Sequence, residues 1–195
     1  MTVVVKLGGS LANAGTLRSW LNVVRENGAG RCVVVPGGGV FADTVRAAQQ
    51  RLAFSDAAAH AMALLAMEQY AALLADVEPA LRPCADEPAI RAALAAGGVA
   101  LWLPHAMIAA EPGVAASWTV TSDSLAAWLA GRIGAGHLVL VKSAPSPPPP
   151  LSPLRLAQAG LVDAAFPGYI AEAACSLSYC GPGEEGRLAE ALRLG

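Results

Sequence analysis

The chain of 195 residues contains two lysines, Lys6 and Lys142. Each stands at the end of an apolar run, Val3-Val4-Val5-Lys6-Leu7 and His137-Leu138-Val139-Leu140-Val141-Lys142. Gly8-Gly9 follows the first run, and Gly37-Gly38-Gly39 follows another at residues 31–36. Glycine lets backbone N–H groups approach an anion closely, and a helix N-terminus after the loop adds a positive dipole end. Two such loops can grip two parts of a polyphosphate, with Lys6 supplying a fixed positive charge. A single glycine pair after a strand is also ordinary turn material. Two loops and a lysine together favour anion binding over that bland reading.

Strands and helices must carry these groups to one place. The runs at 3–7, 31–36, 99–103 and 137–142 read as strands buried on both faces, with a fifth at 177–180. Leu17, Trp20, Leu21 and Val24 fall at helical spacing, in a helix capped by Ser10 or Thr16 and stopped at Asn27-Gly28. Further helices are expected over 41–52, 88–96, 153–159 and 184–194. A long one capped by Ser55 or Asp56 runs to 75, and one capped by Thr121 or Ser122 covers 123–131. Residues 79–88 read as a loop, 111–118 as irregular, and the prolines at 147–150 as a stiff extended insert. Alternating strands and helices predict an α/β chain, a three-layer αβα sandwich around a mainly parallel open sheet, as one domain over 1–195. Ligands bind such sheets outside the carboxyl ends of the strands. Both glycine loops and both lysines then face one crevice.

Composition narrows the partners. The chain is 55% hydrophobic and 14% charged, against about 25% charged in an average domain. A net charge of −2 argues against nucleic acid. The longest uncharged window, 92–110, is broken by Gly97-Gly98 and Pro104, which argues against a membrane-spanning helix. The apolar start is too short for a secretory signal, so a cytoplasmic chain is expected. Cys32, Cys84, Cys175 and Cys180 form no CxxC and read as buried or incidental thiols of a reducing compartment. The apolar content of the 57–75 helix exceeds what one small sandwich needs and predicts a homo-oligomer.

Other signatures are thin. Gly37 to Ala42 fits G-x-G-x-x-A, but the acid that a dinucleotide site needs at the end of a second strand is absent; Asp56 begins a helix instead. No G-x-x-x-x-G-K-[ST] and no G-x-S-x-G occur. His60 and Glu68 are polar points on an apolar helix, an interior histidine and a partly exposed acid, or one of them an acceptor contact. His105 lies at the predicted sheet edge as a further candidate contact. Trp102 and Trp118 read as core. Asp123 is a first-turn acid that the helix dipole favours.

KLGGSL at residues 6–11, VVPGGGVFAD at 34–43 and TSDSLAAWLA at 121–130, followed by the strand ending in Lys142, resemble the amino acid kinase family. AHAMALLAMEQYA at 59–71, SWTVTSDSLA at 117–126 and GLVDAAFPGY at 160–169 resemble its small kinases that phosphorylate an aminomethylfuran methyl phosphate in methanofuran synthesis. The resemblance implies transfer of the γ-phosphoryl of ATP, with Mg²⁺, to a phosphate or carboxylate of a small acceptor. Such an oxyanion is already ionised, so no general base is required. The resemblance assigns Lys6, Asp123 and Lys142 to catalysis, with Asp123 organising Lys6. Gly8, Gly9, Ser10 and Ser143 are assigned to ATP phosphates, and Gly37, Gly38, Gly39, His60 and Ser122 to the acceptor. No protein metal ligands are expected. The chain departs from the family where a T-D-V-D-G-like loop is replaced by Lys142-Ser143-Ala144-Pro145 and prolines. It also lacks the late lysine of acetylglutamate-type kinases, whose place Lys142 is a candidate to take. Regulation by a C-terminal amino-acid-sensing domain is not expected. A non-catalytic nucleotide or oxyanion store on the same fold is the alternative reading.

Overall fold

The apolar runs form the middle of the molecule. The computed structural model describes residues 1–194. Its strands are β1 (Val3–Leu7), β2 (Cys32–Pro36), β3 (Leu81–Cys84), β4 (Val99–Trp102), β5 (His137–Val141) and β6 (Ser176–Cys180). They make one sheet in the order β3-β4-β2-β1-β5-β6, and every pairing is parallel. β1 and β2 are buried along their whole length, which is why their sequences do not alternate. β1 lies between β2 and β5, so Lys6 is flanked by Val35 and Leu140. Strand order reverses between β1 and β5, the place where an open parallel sheet leaves a crevice at its carboxyl edge.

The helices are α1 (Leu17–Asn27), α2 (Gly39–Leu52), α3 (Asp56–Val77), α4 (Glu87–Ala95), α5 (Pro104–Ala109), α6 (Ser122–Ile133), α7 (Pro153–Gln158), α8 (Phe166–Ala173) and α9 (Glu185–Leu194). Val3, Val5 and Leu7 pack in one core layer with residues of α1 and α9. Val4, of opposite parity, packs in the other layer with residues of α4, α6 and α8. The expected three-layer sandwich is therefore the observed architecture.

Some elements differ from the sequence reading. Residues 81–84 are a strand, not a loop. β3 is an edge strand with Arg82 and Pro83 exposed, a place where proline costs no ladder bond. Pro104 opens α5 rather than breaking the chain, because proline suits the first turn of a helix. Pro167 does the same in α8, which was not anticipated. α2 starts at Gly39, two residues before the expected position. α3 is the one described helix long and apolar enough to cross a membrane by length and composition. It packs against α2, α5 and β3, and its Tyr70, Ala71 and Leu74 lie in the core. The uncharged 92–110 window is divided among α4, β4 and α5.

One carboxylate fixes the start of α6. Thr121, at the N-cap position, makes no capping bond of its own. Asp163 supplies it from a distant loop: its Oδ2 accepts from Thr121 N at 2.9 Å, Thr121 Oγ1 at 2.8 Å and Ser124 N at 3.0 Å. Its Oδ1 accepts from Ser124 Oγ and from Phe166 N. Buried donors left without such a partner cost the fold directly. Asp163→Ala is expected to lower unfolding stability by about 2–4 kcal/mol, measured by urea denaturation, with Asp163→Asn losing less.

Candidate active site

α6 carries Asp123 in its first turn, where an acid is favoured by the helix dipole. The carboxylate meets both lysines of the chain. Lys6 Nζ lies 2.9 Å from Oδ1, and Lys142 Nζ donates to Oδ2 at 2.7 Å. Lys6 and Asp123 are 4% exposed. The Lys6 contact is an ion pair by distance but off the line of a hydrogen bond, so Oδ1 receives no directed donor. Burial works to raise the carboxyl pKa of Asp123, but the two ammonium groups together outweigh it and hold it below the usual range. Burial, helped by the adjacent Lys6 charge, pulls Lys142 down from 10.5 to about 8 against the attraction of Asp123. The site carries the buried Lys6 and the largely buried Lys142 against one buried anion, so it is prepared for further negative charge.

The glycine loops meet edge to edge. A Cβ on Gly9 would lie 2.1 Å from Gly39 N, and one on Gly37 would lie 2.3 Å from Gly9 N. Gly37 N donates to Leu7 O, and Gly8 N to Val141 O, both at 2.9 Å. Glycine is required here by backbone touching backbone, whatever is bound. Gly39 also has φ of +53°, which favours glycine.

A crevice of about 340 Å³ opens over these groups. Lys6, Gly9, Ser10, Gly38, Gly39, His60, Ser122, Asp123 and Lys142 line it. Gly8, Gly37 and Ser143 are not part of the lining: Gly8 and Gly37 are buried, while Ser143 is exposed, its Oγ 2.8 Å from Ser10 Oγ, and ties the loop after β5 to the loop after β1. His60 is half-buried, and burial lowers its pKa, which keeps the ring neutral near pH 7. His105 and Glu68 bond to each other away from the lining, His105 N donating to Glu68 Oε1 at 3.0 Å. Trp102 is in the core, as read. Trp118 is not: it lines the crevice, with the Arg46 guanidinium 4.4 Å from its ring centre.

Apart from Gly39 and His60, the sequence reading missed the walls of the crevice. Gly39, Ala42, Asp43 and Arg46 of α2 line one side, and Asp56, Ala59, His60, Ala63, Leu64 and Met67 of α3 line the other. Both sets follow i, i+3, i+4, i+7, so helical periodicity counted from Gly39 and from Asp56 would have found them. The start of the loop after Lys142 is held on the end of β6: Tyr179 OH donates to Ala144 O at 3.2 Å and Ser146 Oγ bonds Glu184, whose Oε2 also accepts from Gly181 N at 2.7 Å. Among the described residues no group of three or more His, Cys, Asp or Glu is placed to hold a metal ion.

A sequence profile of the amino acid kinase family matches residues 1–146. The chain belongs to the amino acid kinase family. A relative from Methanocaldococcus jannaschii, [5-(aminomethyl)furan-3-yl]methyl phosphate kinase, is 26% identical over 141 residues, covering 70% of this chain and 63% of that protein. The match thus spans less than two thirds of that relative. Uridylate kinase from Archaeoglobus fulgidus superposes with a TM-score of 0.72 at 20% identity, covering 99% of this chain and 96% of that one. UMP kinase from Bacillus anthracis gives 0.69 at 14% identity, over 97% and 92%. These two likenesses concern the fold.

The lysine pair sets a pH dependence. The folded chain releases the Lys142 proton near pH 8 and the unfolded chain near 10.5, so this group adds stability as pH rises between those values. An anion in the crevice would favour the protonated lysine, so its affinity is expected to fall as pH rises. Binding of ATP, the nucleotide that membership of the family implies, is expected by calorimetry to be roughly tenfold weaker at pH 9 than at pH 7. In Lys142→Met that pH dependence should disappear.

Proposed function

We propose that this protein is an ATP-dependent phosphotransferase that moves the γ-phosphoryl group, with Mg²⁺, onto an oxyanion of a small acceptor. The buried Lys6–Asp123–Lys142 arrangement carries the reading. Phosphoryl transfer needs alignment and charge stabilisation rather than a covalent intermediate. Lys6 and Lys142 supply fixed positive charge beside the backbone N–H groups of Gly9, Ser10, Gly38 and Gly39. Asp123 holds both ammonium groups in place and offsets part of their repulsion. Gly8 and Gly37 support the phosphate loops from behind, Ser143 steadies Ser10 from the loop after β5, and Ser122 and His60 face the acceptor side. A single carboxylate near two lysines suits a magnesium ion held mainly by phosphate oxygens and water, as Mg²⁺ prefers. When bound, that ion neutralises charge on the transferring group.

The finer reading takes its acceptor from the named relative: [5-(aminomethyl)furan-3-yl]methyl phosphate. Its phosphate oxygen attacks the γ-phosphorus, the bond to the β-phosphate oxygen breaks, and the products are a diphosphate and ADP. The acceptor oxygen carries no proton, so the step needs no base. This fits a crevice whose lining histidine is neutral. We further propose that the chain is one cytoplasmic domain that works as a homo-oligomer. Met62, Leu65 and Leu73 form a stripe on the outer side of α3, exposed by 42%, 45% and 36%. Their spacing with Gln69 follows the helical repeat, and a second copy of the same helix would cover them.

ADP release measured with the aminomethylfuran phosphate tests the activity. Lys6→Ala is expected to reduce turnover at least about 100-fold; full activity in that variant would overturn the role of Lys6, and no activity in the wild type would leave the oxyanion store as the better reading. Light scattering at micromolar concentration should give a mass above one chain, and a clean monomer would overturn the oligomer.

A further inference from the structure

The crevice changes character along its depth. α3 lines it from Asp56 to Met67, a span of about 16 Å at 1.5 Å per residue. Met67 belongs to the core cluster that contains Val33 and Val35 of β2, so this end is the floor. Asp56 is exposed and marks the mouth. At the floor stand Lys6, Lys142 and Asp123, whose buried Oδ1 has no hydrogen-bond donor. Between floor and mouth the lining is mostly apolar, with Ala59, Ala63, Leu64, Val120 and Leu125, and His60, Thr121 and Ser122 as its polar points.

The mouth is built from three separate segments. Trp118 Nε1 donates to Gln49 Oε1 at 2.6 Å, and Gln49 Nε2 donates to Asp56 Oδ1 at 2.8 Å. This chain fixes the Gln49 amide and aims the Asp56 carboxylate. The other charges at the mouth answer each other. Arg46 lies over the Trp118 ring and 3.8 Å from Asp43 Oδ1. Asp56 has a neutral partner, and among the described residues no cation pairs with it. The crevice therefore offers cations at its floor, mostly apolar walls, and at its mouth a first-turn carboxylate with no side-chain cation paired to it.

We infer that Asp56, positioned by Gln49 and Trp118, reads an ammonium group on the acceptor at the end opposite its phosphate. The ligand class is a small flat molecule with an anion at one end and a primary amine at the other. A nucleoside monophosphate, whose base carries no ammonium, lacks the second feature. The inference rests on the acceptor reading above and adds to it the residue that selects the amine. Asp56 touches no reacting atom, so it governs acceptor affinity and not the chemical step.

The test compares two acceptors with the full chain: [5-(aminomethyl)furan-3-yl]methyl phosphate and its analogue with methyl in place of aminomethyl. In the wild type the methyl analogue should show a KM about fivefold higher, the upper end for a solvent-facing ion pair, with kcat within twofold. Asp56→Asn should raise KM for the amine to that level and leave the analogue unchanged. Asp56→Glu should restore the preference. Equal KM values for both acceptors in the wild type, or an Asp56→Asn effect of the same size on both, would overturn the role of Asp56 while leaving the kinase reading intact. Turnover of neither acceptor would overturn the acceptor assignment and this inference together.

Discussion

Two ammonium groups held out of water by one carboxylate are the constraint around which this structure is arranged. Burying charge is costly, and an incomplete set costs more than a balanced one. Lys6 and Lys142 exceed Asp123 by one unit of charge at a place with little solvent. That imbalance is tolerable where an anion regularly completes the set. The rest of the fold follows from keeping the three groups together. β1 and β5 must be neighbours for the lysines to converge, and α6 must begin at a fixed height above them. Asp163 sets that height by capping α6 from a distant loop.

Much of this was legible in the sequence because the informative residues sit at the ends of strands. The runs at β1, β2 and β5 are apolar without a break, as strands covered on both faces require. Their ends therefore locate Lys6, the two glycine loops and Lys142 without any knowledge of packing. The edge of the sheet was harder. β3 contains Arg82 and Pro83, both exposed, and carries no burial pattern to read. Pro104 and Pro167 look like breaks in a linear reading and become helix starts only in three dimensions. The walls of the crevice were hidden for a related reason. Asp43, Arg46, Asp56 and Trp118 come from three segments whose meeting depends on how α2 lies against α3.

Two elements concentrate the apolar composition. The sheet is one, since neither face of its central strands meets water. α3 is the other. One side of this helix is core and another is crevice, while a third side carries Met62, Leu65 and Leu73 toward solvent. A helix serving as wall, core and outer face has few positions left for charge, and this explains why its sequence reads as unusually apolar along its whole length.

The contact between the two glycine loops reaches beyond local geometry. Because Gly9 and Gly37 press backbone against backbone, neither loop can change shape without displacing the other. The part of the site that would hold transferable phosphate is thus a single stiff unit in which no side chain can be introduced. Substitutions that reshape the crevice are therefore confined to its walls, at positions such as Ala42 and Asp43 of α2 and Ala59 and Ala63 of α3. The rigid part of the site and the adjustable part lie on physically separate stretches of the chain.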